Sequence, residues 1–161
     1  MLMLDRYSDA VNNLVLTGVE GLPDTLLMEK EGRYSVYYAP FDYINTAARV
    51  VICGITPGLS QARIALTTAQ GAMREGKSTV EADYNAKQTA SFAGSMRSNL
   101  ADMLDYLQVN DVLGVQSCAD LFGKRADAAH YTSVLRYPVF RDGKNYSGSS
   151  AITKTPILRR Q

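Results

Sequence analysis

Leu4, Tyr7, Val11, Leu14 and Val15 recur at helical spacing, with Asp5 and Asp9 in the early turns. This spacing predicts an amphipathic first helix ending near Gly18. Gly21-Leu22-Pro23-Asp24 then reads as a turn. Residues 26–28 and 34–38 read as two short strands around Lys30-Glu31-Gly32-Arg33, a hairpin pattern closed by Ala39-Pro40. Residues 49–55 form a β-branched apolar run, which predicts a central strand buried on both faces. Pro57 suits the first turn of a following helix, because its missing N–H costs nothing there. Residues 61–74 supply that helix and Gly76-Lys77-Ser78 ends it. Ser78 followed by Glu81 predicts a capping box opening another helix. Ser95 precedes Met96, Leu100, Met103, Leu104 and Leu107, an amphipathic helical face.

The second half is less regular. Residues 117–122 predict a short helix closed by Gly123. Residues 131–135 and 139–140 are strand-like, and Arg141-Asp142-Gly143-Lys144 carries the Asp-Gly signal of a tight hairpin. From Asn145 the chain becomes small and polar, with no closing helix predicted. Alternating strands and helices indicate an α/β protein. Only residues 50–55 and 131–135 qualify as central parallel strands, so the pattern resembles the front part of an α/β domain.

A length of 161 residues fits one domain, 1–161, large enough to bury a hydrophobic core. No apolar run is long enough to span a bilayer. The N-terminus MLMLDRYSDAV lacks a basic-then-apolar signal, so no membrane association and a cytoplasmic location are expected. The net charge of +1 gives no global attraction for nucleic acid. Arg159-Arg160 reads as a solvated tail. Cys53 and Cys118 read as buried thiols. With His130 as the one histidine, no metal site is expected and no cofactor is implied.

The candidate chemistry lies where the 49–55 run ends. Loops after central strands are where α/β proteins bind ligands. In Gly54-Ile55-Thr56-Pro57-Gly58 the glycines permit close backbone approach and the proline stiffens the loop. N–H groups at the helix start are then available to an anion or a polar base edge. A plain strand-to-helix turn, with Thr56 as its N-cap, accounts for the same residues.

The longer string VVICGITPGLSQA resembles the first motif of the uracil-DNA glycosylase superfamily. It is most similar to the mismatch-specific uracil and thymine glycosylases, whose loop reads Gly-Ile-Asn-Pro-Gly followed by Leu-Ser. Ala90-Ser91-Phe92-Ala93 is similar to the family segment that sets an aromatic ring against the flipped base. Thr132-Ser133 is similar to its next strand region. The resemblance implies a three-layer α/β sandwich of the glycosylase fold, shortened at its carboxyl end. It implies DNA as a partner, with a base flipped into a pocket. Thr56 would occupy the catalytic, water-positioning place. Gly54, Ile55, Pro57, Gly58, Phe92, Thr132 and Ser133 would contact the substrate.

Two departures qualify the resemblance. Thr56 stands where the family carries an acid or amide, and a hydroxyl is a poor base near neutral pH. The family's second catalytic loop begins His-Pro-Ser or Asn-Pro-Ser, whereas the five prolines here follow Leu22, Ala39, Thr56, Tyr137 and Thr155. The expectation is therefore a glycosylase-like protein of weak or no activity alone. The alternative is a non-catalytic interaction module or small inhibitor that reuses the fold, binding a protein partner or a second copy of itself. Plainer readings stand beside the sharp ones: Phe92 as core, His130 as a surface or loop histidine, and Lys87, Arg97 and Lys144 as solvated cations. Tyr34, Tyr37, Tyr38 and Tyr43 either pack on the sheet or form an exposed aromatic surface.

Overall fold

A computed structural model describes residues 2–18, 20–148 and 151–161. Ser149 and Ser150 of the polar stretch lie outside the described residues. The protein is a mixed α/β structure. The first helix, α1 (Met3–Asn12), is shorter than its apolar spacing predicts. Leu14 is still buried beyond its end, while Val15 is exposed. Strands β1 (Leu27–Glu31) and β2 (Tyr34–Tyr37) form the predicted hairpin.

Strand β3 (Val50–Gly54) leads through the Gly54–Gly58 loop into α2 (Leu59–Arg74). Helix α3 (Thr79–Ala90) opens on the predicted box: Glu81 N–H donates to the Ser78 hydroxyl and Ser78 N–H to the Glu81 carboxylate. Helix α4 (Ser95–Tyr106) and a short α5 (Val109–Leu113) follow. Residues Cys118–Phe122 form the predicted short helix, in the 3-10 form. Then come β4 (Ala129–Ser133), β5 (Val139–Arg141), β6 (Lys144–Asn145) and a one-turn helix α6 (Pro156–Arg159). No helix among the described residues is long and apolar enough to cross a membrane.

The strands divide into two sheets. One is antiparallel, in the order β1-β2-β5-β6; the other is the parallel pair β3-β4. Asp142 and Gly143 both take positive φ, the geometry of a tight β5–β6 hairpin. The Arg33 guanidinium Nε donates to both Asp142 oxygens, at 3.0 and 2.9 Å, and ties the two hairpin tips together.

Two cores result. The larger joins α1, the hairpins, α2, α3 and α6 around Leu66, Tyr38, Val139 and Leu158. Tyr7 stacks on Tyr38 with ring centroids 4.3 Å apart, so that tyrosine is core. The smaller joins the inner face of β3-β4, through Ile52 and Tyr131, to α4 and the 118–122 turn.

Several sequence expectations are corrected. Strand β3 is buried on one face only: Ile52 points inward, whereas Val51 is 61% exposed and Cys53 is exposed. Its continuous apolar run cannot report this, because β-branched residues favour strands whether or not a second layer covers them. Cys118 is buried, as expected. The chain end carries a helical turn that buries Ile157 and Leu158. Arg159 and Arg160 are exposed, as the solvated reading expects, and Arg160 in addition lies 2.7 Å from Glu31 and against Glu29.

Candidate functional site

The Gly54–Gly58 loop is fastened before it reaches the helix. The Thr56 hydroxyl donates to Tyr137 C=O at 2.9 Å and accepts from Val139 N–H at 3.3 Å. Thr56 is therefore not the N-cap of α2; Gly58 is, with Pro57 outside the helix. The first helical N–H groups are also engaged. Gly58 N–H donates to the Gln61 side chain at 3.0 Å and Leu59 N–H to Asn145 Oδ1 at 2.9 Å. Two of the expected open N–H groups, those of Gly58 and Leu59, are thus taken by Gln61 and by β6, a strand distant in sequence.

Thr56 joins the β3 loop to the start of β5, and its hydroxyl spends its proton on backbone. Thr56→Val should cost about 1–2 kcal/mol, because it leaves a backbone donor and acceptor without a partner. Thr56→Ser should stay within about 0.5 kcal/mol of the parent. Urea unfolding midpoints check both.

Beside this loop lies a cleft of about 270 Å³, between the two cores. Gly54, Ile55, Thr56, Pro57, Phe92, Thr132 and Ser133 all line it; Gly58 does not, and faces Asn145 instead. A Cβ placed on Gly54 would stand 3.4 Å from Phe92 Cε1 and from Ser133 Oγ. Glycine here lets three separate stretches of chain approach one point. Phe92 takes φ +53°, strained for a bulky side chain and worth about 1–3 kcal/mol, a feature that clusters at binding sites. Its ring meets Tyr131 edge-on with centroids 6.2 Å apart, and Tyr131 stacks on Phe122 at 5.1 Å. Phe92 is both part of the smaller core's edge and a wall of the cleft.

Three basic residues, Arg97, Lys87 and Arg136, pack at or beside the cleft. Arg97 donates to the carbonyls of Gln88, Thr89 and Ser91 at 2.6–2.9 Å and lies over the Phe122 ring, holding the end of α3 against α4. Lys87 lines the cleft yet is only 4% exposed. Arg136, from the segment after β4, lines it as well.

Behind the cleft sits a buried charge cluster. Asp83 is 1% and Asp42 8% exposed. Asp42 N–H donates to Asp83 Oδ1 at 3.2 Å, and the Tyr137 hydroxyl donates to Asp42 Oδ1 at 2.6 Å. Arg136 stands 3.9 Å from Asp42, and the Lys87 ammonium donates to Tyr43 C=O. One oxygen of each carboxylate has no hydrogen-bond partner among the described residues. Burial, reinforced by Asp42, raises the Asp83 carboxyl to about 6. Burial raises Asp42 too, against the pull of Tyr137, Arg136 and Lys87. Burial lowers the Lys87 amine to about 8, although both carboxylates oppose it.

His130 lies on β4 rather than in a loop, where its Nδ1 accepts from Asn45 N–H at 3.3 Å. Burial and the nearby Lys87 and Arg136 hold its pKa down. Among the described residues no cluster of His, Cys, Asp and Glu is arranged to hold a metal ion.

Sequence reasoning missed Asp42, Asp83, Arg136 and Tyr137. A signal existed for one pair: Asp83 and Lys87 are spaced i, i+4 among alanines, on a helical face too small-sided for a solvated one.

No protein-family model matches the chain, and no solved structure matches it. The chain is similar to the uncharacterized protein YoxB of Bacillus subtilis (strain 168), at 42% identity over 159 residues. The match covers 96% of this chain and 62% of YoxB, so the chain spans under two thirds of that relative.

Proposed function

We propose that the cleft receives a planar nucleobase turned out of DNA, in a glycosylase-like recognition mode, with little or no base excision by this chain alone. One observation carries the reading. The three stretches that resemble glycosylase segments, at 54–58, 90–93 and 132–133, meet at one aromatic-walled cleft. Its volume sits at the lower edge of ligand-pocket sizes, suited to a small planar group. Weak catalysis follows from Thr56, whose hydroxyl is committed to Tyr137 and Val139. A water beside it would gain no charged base from that side chain.

The test is binding of single-stranded and duplex DNA carrying one uracil, against the same DNA carrying thymine. A preference for the uracil strand is expected. Phe92→Ala should reduce it by roughly 5- to 100-fold, the equivalent of about 1–3 kcal/mol per stacked base. No abasic product should accumulate at protein excess. Equal binding of both DNAs, unchanged by Phe92→Ala, would sink the reading. If the protein then dimerised with concentration and the exposed Cys53 thiol became protected, the interaction-module alternative would take its place.

A further inference from the structure

We propose that Lys87 is a carbonyl-reactive amine and that the cleft admits the open-chain aldehyde of a 2-deoxyribose that has lost its base. The identity of the sugar rests on the base-recognition reading above; the reactivity of the amine does not.

The placement of Lys87 is unusual for a lysine. It projects from the last turn of α3 and lines an aromatic-walled cleft, yet is 4% exposed. A lysine that only solvated a helix face would lie outside, and one that only neutralised buried acids would have no opening beside it. Groups from every neighbouring element face it. Asp83 lies one turn earlier on α3, Asp42 and the Tyr43 carbonyl come from the segment after β2, and Arg136 from the segment after β4. His130 on β4 also feels its charge. Burial outweighs the two carboxylates and makes the neutral amine accessible near pH 8. Desolvated lysines are the kind that form Schiff bases.

The step balances within the cluster. The Nζ lone pair forms the N–C bond to the carbonyl carbon while the C=O π pair moves to oxygen. That oxygen takes a proton from the Asp83 carboxyl, and the nitrogen returns one. A second proton, again from the Asp83 carboxyl, lets the hydroxyl leave as water and gives an iminium; amine plus aldehyde plus that proton becomes iminium plus water, and the iminium returns the proton to Asp83 when it relaxes to the imine. The unpartnered oxygen of Asp83 supplies the place for the travelling proton. Phe92, Tyr131 and Phe41 give the cleft apolar walls beside the amine.

Reductive trapping tests this in the intact wild-type protein. The protein is incubated with 2-deoxyribose 5-phosphate and sodium cyanoborohydride, and in a parallel arm with an oligonucleotide bearing one abasic site. Lysine adducts are located by peptide mass. Lys87 should be modified at least about tenfold faster than the exposed Lys124 and Lys144 at pH 7.5, since the neutral fraction of a desolvated amine is far larger. Its rate should rise with a midpoint near 8. Modification of Lys87 no faster than the exposed lysines, or none at all, overturns the proposal. Trapping by the sugar phosphate without any preference for uracil DNA would keep the reactive amine and discard the base reading. The reverse pair of results would do the opposite.

Discussion

Lys87→Met is expected to leave folding stability at pH 7 equal to the parent or up to about 3 kcal/mol higher. Burial lowers the Lys87 pKa from 10.5 to about 8, a cost that an apolar side chain does not carry. Against that gain, Asp42 and Asp83 lose a neighbouring cation and keep Arg136, the Tyr137 hydroxyl and the Asp42 N–H. That loss is capped, because Asp83, already raised to about 6, takes a proton for about 1.4 kcal/mol at pH 7 and for almost nothing at pH 5. The net change is therefore pH-dependent, which a packing defect would not be.

The parent's own pH profile has a definite sign. Asp83 has its folded pKa raised to about 6, so its contribution is full below 3.8 and is lost as pH rises through 6. Lys87 has its folded pKa lowered to about 8, so its contribution is full above 10.5 and is lost as pH falls through 8. Between pH 6 and 8 both are charged at a cost. Asp83→Asn should flatten the limb between pH 4 and 6, and leave stability at pH 7 equal to the parent or about 1–2 kcal/mol higher. Urea unfolding across pH 4–9 reads all three proteins. A pH-independent loss in Lys87→Met would contradict the assignment of the cluster.

Ala86→Leu should cost at least about 2–3 kcal/mol. Helices α2 and α3, joined by the turn at residues 75–78, bury Ala62, Ala65, Ala69 and Ala72 on one and Ala82, Ala86 and Ala90 on the other. Ala62, Ala65, Ala69, Ala82, Ala86 and Ala90 are fully inaccessible. Small side chains set how closely helix axes approach. A leucine must push α3 off α2, and α3 carries Asp83 and Lys87 and ends just before Phe92. The same variant should therefore weaken the DNA binding proposed above, at temperatures where it is still folded. Ala86→Gly, which adds no volume, should cost only the helix propensity difference of about 1 kcal/mol. If Ala86→Leu were the milder of the two, close packing of these helices would not be what positions the cleft.

Much of the local structure was legible in the residues themselves. The Ser78-Glu81 box, the Asp142-Gly143 turn and the hairpin at 27–37 follow from chemistry acting over a few positions, and each forms as read. The loop at 54–58 was also found, because Gly and Pro punctuate a chain whatever surrounds them. Its partners were not legible. Thr56 had two local roles open to it, cap or ligand, and it is not the cap, because Tyr137 and Val139 arrive some eighty residues later to claim the hydroxyl. Lys87, read as a solvated cation, is buried because Asp42 and Arg136 close over it from segments far along the chain.

The loop, the aromatic residue after α3 and the mixed α/β class were thus determined by the sequence alone, since backbone preference and spacing act locally. The burial of Lys87, the one-sided exposure of β3 and the close approach of Phe92 and Ser133 to Gly54 were decided only by the tertiary structure. The physical reason is that desolvation and hydrogen-bond ownership depend on which distant groups arrive, and no residue's own identity states that.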